Sequence, residues 1–100
     1  MGNEPKIEYL PAANENILEI SIDIEIKGYP ITAEKFKKEL FGFGNSLVYF
    51  PEKYPFCRKP SFFKKGFRCA IYKKNYIFIY KPFKTKLVVY NVIHVSSYVY

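Results

Sequence analysis

Hydrophobic and polar residues alternate through the second half of the chain, which is the pattern of strands buried on one face. The alternation predicts strands over residues 67–72, 76–81 and 86–95. A shorter apolar run predicts another strand over residues 61–64, and a first strand is predicted over residues 6–10, where Pro11 ends it. Asn75 lies in a predicted turn, because asparagine readily adopts a left-handed backbone conformation.

Residues 12–28 fit two patterns. The alternation of a strand is seen at Ile20, Ile22, Ile24 and Ile26. The spacing of one helix face is seen at Ala13, Ile17, Ile20 and Ile24. Gly28 stands where a left-handed residue would end such a helix. The residues alone leave both structures open and favour the helix.

A second helix is predicted over the residues that follow. Thr32 is suited to cap its first turn, and the segment FPEKYP at residues 50–55 breaks it. Gly42 and Gly44 weaken its end. Its apolar face is formed by Ala33, Phe36, Leu40, Phe43 and Leu47.

The order of these elements predicts one α+β domain that spans residues 1–100. The expected arrangement is β-α-α-β-β-β(-β), with two N-terminal helices packed on one face of a mostly antiparallel sheet. The other face of the sheet is left for solvent or for a partner. A chain of 100 residues fits a single domain.

Charge divides the chain into two halves. The first 52 residues carry five lysines against nine acids, a net charge of −4, whereas the last 48 carry eleven lysines and arginines and no acid. Such a split favours a partner that is negatively charged, either nucleic acid or an acidic protein segment, over a solvated lysine-rich sheet edge. The candidate basic face comprises Lys64, Lys65, Arg68, Lys73, Lys74 and Lys81.

The remaining composition excludes several classes of protein. Cys57 and Cys69 form neither a zinc signature nor a redox motif, and we expect two reduced, half-buried thiols. With one histidine and two scattered cysteines, no metal site or cofactor is expected. No apolar run is long enough to span a membrane and no secretion signal is seen, so a cytoplasmic protein is expected.

Several short motifs are similar to those of one protein family. Asn16-Ile17 within the first helix, Phe50-Pro51 after the second helix, Asn75-Tyr76 with Tyr80, and Val92-Ile93-His94 occur in the family's order and spacing. In these motifs the chain resembles the RelE/ParE superfamily of type II toxin–antitoxin toxins, which includes plasmid stabilisation proteins. The resemblance covers nearly the whole chain and implies that residues 12–28 are helical.

The resemblance implies two possible activities. RelE-type members cut mRNA on the ribosome without a metal, and ParE-type members inhibit DNA gyrase. Arg68 falls where the ribonucleases keep a basic residue, but Ala70 and Ile77 replace two further basic residues, and the arginine after the last strand aligns near Tyr98. The principal phosphate-binding arginines are therefore missing.

His94 has a side chain suited to acid–base catalysis. The matching histidine recurs in both branches of the superfamily, so a structural role is favoured, with the imidazole hydrogen-bonded to neighbouring backbone or to a tyrosine. Most tyrosines of the last strands are expected to pack across the sheet. The roles of Tyr98 and Tyr100, at the chain end, stay open.

Three hypotheses follow from these residues. The first is a ParE-like toxin, not an enzyme, that acts by protein contact on gyrase and is neutralised by an acidic antitoxin bound to the basic face. The second is a ribosome-dependent endoribonuclease that uses Arg68, His94 and Tyr98. The third is a degenerate family member without toxicity that still binds an antitoxin.

Overall fold

The fold is described here from a computed structural model, for residues 6–28 and 30–98. Its elements in chain order are β1 (Lys6–Tyr9), α1 (Pro11–Ile26), α2 (Pro30–Ser46), α3 (Pro60–Lys64), β2 (Arg68–Tyr72), β3 (Tyr76–Pro82), β4 (Lys86–His94) and a 3-10 turn (Val95–Ser97). The described strands form one sheet in the order β1-β4-β3-β2, in which β1 is parallel to β4 and the other pairs are antiparallel. The expected α+β fold is confirmed.

α1 resolves the ambiguity of the isoleucine-rich segment in favour of a helix. It begins at Pro11, whose fixed φ suits a first helical position, and Gly28 follows its end with a φ of 93°. Ala13 and Ile17 are fully buried. Of the four alternating isoleucines, Ile20 packs against the core, whereas Ile26 lies on the outer side of the helix and is 77% exposed.

α2 packs with α1 on one face of the sheet. Its predicted apolar face is confirmed, since Ala33, Leu40 and Leu47 are buried and the two phenylalanines of that face are partly buried. The helix begins at Pro30, so the prediction that Thr32 caps it is wrong. Proline is tolerated there because the first helical N–H groups have no partner within the helix.

The main core lies between these two helices and the sheet. Its buried members are Ala13, Ile17, Leu40, Leu47, Ala70, Phe78, Tyr80, Leu87, Val89 and Val92. β3 is central, and its residues alternate between this core and the opposite face, as a strand buried on both faces must do. Tyr80 also donates a hydrogen bond of 2.7 Å to the carbonyl of Pro51, which ties the loop after α2 to the core.

The opposite face of the sheet is partly covered, which corrects the expectation that it is left open. Residues 61–64, predicted as a strand, lie in the helix α3. Pro60 starts this helix, and Gly66, with a φ of 79°, ends it. Gly66 N–H and Phe67 N–H donate to the carbonyls of Phe63 and Phe62, at 3.0 and 3.1 Å, which is a Schellman motif. Local capping therefore overrides the apolar run.

The expectation of two free thiols is also wrong. Cys57 and Cys69 form a disulfide with a Cα–Cα distance of 5.0 Å, and Cys57 is 1% exposed. Residues 55–57 pair with the outer edge of β2, where Cys57 N–H donates to Phe67 and Cys69 N–H donates to Pro55. The backbone pairing of residues 55–57 with β2 places the two cysteines side by side. Their spacing in the sequence gives no sign of it.

The turn between β2 and β3 is a tight hairpin. Lys73 and Lys74 have φ values of 50° and 66°, and Asn75 N–H donates to Tyr72 at 3.2 Å. The left-handed residues are therefore the two lysines and not Asn75, because they are the central residues of the β-turn from Tyr72 to Asn75, and a positive φ at both central positions is the type I′ geometry. Within the described part of the chain, no helix is long and apolar enough to cross a membrane.

Candidate functional site

A groove of about 450 Å³ opens on the face of the sheet that carries α3. We call it the lysine groove. Its described lining consists of Leu10, Lys64, Lys65, Phe67, Lys81, Phe83, Val88 and Tyr90. The lining thus combines an apolar and aromatic floor with three lysines, and no acidic residue is among the described residues that form it.

A β-bulge shapes the floor of the lysine groove. Ile79 pairs with Asn91 and Tyr80 pairs with Val89, so that Tyr90 is the extra residue of β4. Tyr90 points away from the main core and packs against Phe67, with ring centroids 4.8 Å apart. The bulge therefore turns a tyrosine outward, and 37% of its surface remains exposed.

The bulge is also fixed from the helix side. Asn91 accepts a hydrogen bond from the side-chain amide of Asn16 in α1, and it accepts another from Val92 N–H at 2.9 Å. Asparagine supplies an acceptor where the strand ladder is interrupted. The position of Tyr90 in the groove is thus coupled to α1 on the other face of the sheet.

The lysines of the groove come from two elements that the fold brings together. Lys64 is the last residue of α3, Lys65 follows it as the C-cap, and Lys81 lies near the end of β3. Lys81 Nζ is 5.3 Å from the ring centroid of Phe83, a cation–π distance, and the same side chain passes close to Gly66. Lysines provide mobile point charges and not planar clamps. The groove suits carboxylates that flank apolar side chains.

The other predicted basic residues lie elsewhere. Arg68 donates to the carbonyl of Tyr54 at 2.7 Å and stacks over Phe56 at 4.1 Å, which fixes the loop before α3. Lys73 forms an ion pair of 3.1 Å with Glu39 of α2, and this pair lowers the pKa of Glu39 and raises the pKa of Lys73. Lys74 is exposed in the same hairpin turn.

The three candidate ribonuclease residues do not meet at one place. Arg68 pairs with Tyr80, and His94 pairs with Tyr76 at the other end of β3, about 13 Å along the strand. Tyr98 lies on the opposite face, where it packs near Phe62 and accepts a hydrogen bond of 3.0 Å from Lys59 N–H. Tyr100 lies outside the described residues.

His94 caps the 3-10 turn that follows β4. Its Nδ1 accepts a hydrogen bond of 3.1 Å from Ser96 N–H and lies 2.8 Å from Ser96 Oγ. In the neutral imidazole this arrangement leaves the proton on Nε2. The ring edge contacts Tyr76, with centroids 5.5 Å apart. His94 thus has the kind of local backbone partner that a structural role requires.

Two of the positions that the resemblance associates with basic residues are closed to solvent. Ala70 is 0% exposed in the main core and Ile77 is 4% exposed in the cluster on the opposite face. An arginine at either position would need a buried partner for its charge. Across the described residues, no three histidine, cysteine, aspartate or glutamate side chains are grouped so as to hold a metal ion.

Comparison with known proteins yields a similarity of structure and none of sequence. No protein-family model matches the sequence, and no curated protein matches it. A solved structure described as the chromosomal ParDE TA system from P. aeruginosa superposes with a TM-score of 0.77 at 10% sequence identity. The alignment covers 94% of this chain and 99% of that chain. The chain therefore has a RelE/ParE-like fold.

Sequence reasoning identified the lysines of the groove but not its floor. The outward position of Tyr90 depends on a bulge, and that of Phe67 depends on the end of α3. One signal was present, because Pro60 and Gly66 bracket a short segment in the way that helix ends are bracketed. The sequence carries no comparable signal for the bulge.

Proposed function

We propose that this chain is a single-domain toxin of a type II toxin–antitoxin pair, of the ParE-like kind. It acts by protein contact, with gyrase as the target that the resemblance suggests, and a cognate acidic antitoxin neutralises it. The proposal covers residues 1–100 as one functional unit located in the cytoplasm. The observation that carries it is the lysine groove, joined to a fold shared with a chain of a ParDE system.

The groove supports an acidic occupant for electrostatic reasons. Lys64, Lys65 and Lys81 surround an aromatic floor, and the described lining offers no carboxylate to neutralise them. A segment with carboxylates beside apolar side chains would remove the floor from water and would pair with the lysines at its rim. Single-stranded nucleic acid would also be attracted by the positive charge of the groove. We favour a protein partner because the chain has a ParE-like fold.

A protein-binding activity also agrees with the placement of the polar side chains. Arg68 is engaged with backbone and with Phe56, His94 caps a turn, and Tyr98 lies on the other face. General acid–base cleavage of RNA needs such groups within hydrogen-bond reach of one phosphodiester. Their separation favours the first of the three hypotheses over the endoribonuclease.

The proposal is tested with two variants of equal charge change. The first reverses the groove with Lys64→Glu, Lys65→Glu and Lys81→Glu. The control reverses three exposed lysines outside it, with Lys35→Glu, Lys38→Glu and Lys53→Glu. The probe is a fluorescent peptide that alternates leucine with glutamate, and a glutamine version serves as its neutral counterpart.

We expect the wild type and the control variant to bind the glutamate peptide, with affinity that falls as salt is added, because exposed charges are screened. The groove variant should lose at least about tenfold in affinity. Equal affinity of the two variants for the glutamate peptide would show that the lysine groove is not the binding site.

Toxicity needs its own measurement. Induced expression should arrest bacterial growth, purified protein should inhibit gyrase supercoiling, and a reporter mRNA in a translating extract should remain intact. Cuts that appear only with translating ribosomes would favour the endoribonuclease, and growth without arrest would favour the non-toxic family member.

A further inference from the structure

The disulfide encloses one wall of the lysine groove. Residues 58–68 lie between Cys57 and Cys69, and they include α3, Lys64, Lys65 and Phe67. The floor and the other wall come from β3, β4 and the turn between them, through Val88, Tyr90, Lys81 and Phe83. The two halves of the groove are thus separate in sequence.

Apart from its continuation into β2, the enclosed segment is held to the sheet by non-covalent contacts, since Phe62 and Phe67 pack against the cluster of Cys57, Ile77 and Ile79. None of the five residues of α3 is fully buried, and a helix of this length is not stable by itself. Phe62 contacts Phe67 and Tyr90 at 5.7 and 6.1 Å, and Lys59 N–H donates to Tyr98. The disulfide is the covalent link that holds this wall at its place on the edge of β2.

Charge within the enclosed segment works against its docking when nothing acidic is bound. The segment carries Arg58, Lys59, Lys64, Lys65 and Arg68 and no acid, and Lys81 faces it from β3. Like charges at close range repel. A closed loop limits how far the segment can move in response to this repulsion, because the cross-link removes most of the open conformations.

We infer that the Cys57–Cys69 disulfide is a redox control of the lysine groove, closed and binding-competent when oxidised and loosened when reduced. The inference rests on the proposed function of the groove, and it adds how binding of an acidic segment is regulated. An oxidising environment then favours the antitoxin-bound state, and a reducing one weakens it.

The reaction needs a dithiol as the reductant. Its thiolate attacks Cys69 Sγ, which belongs to the more exposed of the two cysteines, and the S–S bond breaks as Cys57 leaves as a thiolate and takes up a proton. The second thiol of the reductant then displaces the Cys69 thiol. Two electrons and two protons pass to the protein, and the reductant becomes a disulfide.

The test compares the oxidised protein, the protein reduced with dithiothreitol, and the variant Cys57→Ala/Cys69→Ala. Amide hydrogen exchange is followed in residues 58–67 and, as an internal reference, at Leu40 and Phe78 in the main core. Binding of the leucine–glutamate peptide is measured in the same samples, and the glutamine peptide is the control.

Reduction should speed exchange in residues 58–67 by about tenfold or more and leave the core reference nearly unchanged. Peptide affinity should fall by about tenfold in the reduced protein and in the double variant, which should not respond to dithiothreitol.

Each contrary result identifies what has failed. Equal affinity in the oxidised and reduced states would overturn the redox control and leave the groove as a binding site. Acceleration of exchange in the core as large as in the loop would also overturn it, since the disulfide would then hold the whole fold. Absence of binding in both states would overturn the proposed function along with the inference.

Discussion

The two faces of the sheet share β3 and β4 but are closed by different means. Two long helices cover one face, and ten of the described residues are buried in the core there. On the other face three residues of the described part of the chain are buried, and a five-residue helix, a disulfide and several part-exposed aromatic rings complete the cover. The first face supplies most of the apolar burial that stabilises the fold. The exposed side chains of the second face are available for the proposed binding, because little of the stability depends on them.

The largest effect is expected from one substitution made on each face. Phe78 is fully buried beside Phe43, with ring centroids 5.0 Å apart, whereas Phe83 is 52% exposed at the groove. Phe78→Ala should lower the free energy of unfolding by about 3–5 kcal/mol through lost burial and a cavity. Phe83→Ala should change it by less than about 1 kcal/mol. Urea unfolding measures both.

Phe83→Ala should nonetheless lower the affinity for the glutamate peptide by about tenfold, as expected for an aromatic residue in a binding groove. Similar losses of stability from the two substitutions would break the division between a stabilising face and a binding face.

The second prediction concerns the close packing on the helix-covered face. A Cβ added at Gly44 of α2 would collide with the hydroxyl of Tyr9 and would lie 3.1 Å from Phe78. Tyr9 cannot withdraw freely, since its hydroxyl donates to Asn45 Oδ1 at 2.7 Å. Gly44→Ala should therefore cost about 1–3 kcal/mol of stability.

Gly42 provides the matched control for Gly44. It is exposed in the same helix, and a Cβ there would meet nothing within 4 Å. Gly42→Ala should therefore raise the free energy of unfolding by up to about 1 kcal/mol, because alanine favours a helix more than glycine does. A loss of stability at Gly44 and a gain at Gly42, measured by thermal unfolding, would locate the constraint at the Tyr9 contact. A gain from both substitutions would show that α2 is packed more loosely than described.

The third prediction uses the burial of Tyr80 in the main core. Desolvation raises the pKa of Tyr80 to about 12 from its ordinary value of 10.0. Because the folded state keeps the hydroxyl proton to a higher pH than the unfolded chain, stability is fully present below pH 10 and is lost as pH rises through 12. Between pH 9 and pH 11.5 the wild type should lose about 1–2 kcal/mol more than Tyr80→Phe does.

Tyr80→Phe also lowers stability in a way that does not depend on pH, and this effect must be separated from the effect of the pKa. At neutral pH it should be less stable by about 1–2 kcal/mol, because the carbonyl of Pro51 loses its 2.7 Å partner. Urea unfolding at both pH values gives the two effects independently. If the wild type and Tyr80→Phe lost the same free energy of unfolding between the two pH values, Tyr80 would not be the cause of the lower stability at alkaline pH.

The same two faces differ in how far the sequence predicts them. Helix periodicity identifies the buried side of α2 through Leu40 and Leu47, and strand alternation identifies β3 and β4, because each pattern follows from local geometry. The cover of the opposite face depends on contacts that are distant in sequence. Cys57 meets Cys69 only because residues 55–57 pair with the edge of β2, and no local pattern reports that pairing.

Of the candidate site, the sequence predicts the charge but not the shape. The absence of acids after Glu52 predicts a basic face that includes Lys64, Lys65 and Lys81. These three lysines do line one groove. Arg68 was grouped with them, yet its side chain is used to hold the loop at Tyr54. Charge counting alone gives no information on which face of a strand a residue occupies.

The smallest effect concerns His94, which lies on the helix-covered side, away from the lysine groove. His94→Ala removes the acceptor for Ser96 N–H and should cost about 1 kcal/mol, as the loss of a cap does. His94→Asn keeps an acceptor at the cap and should stay within about 0.5 kcal/mol of the wild type. Both variants should bind the glutamate peptide as the wild type does and, under the proposed function, should still arrest growth. Loss of arrest in the folded Asn variant would assign the imidazole a role beyond capping, and function would then no longer be confined to the face that carries the groove.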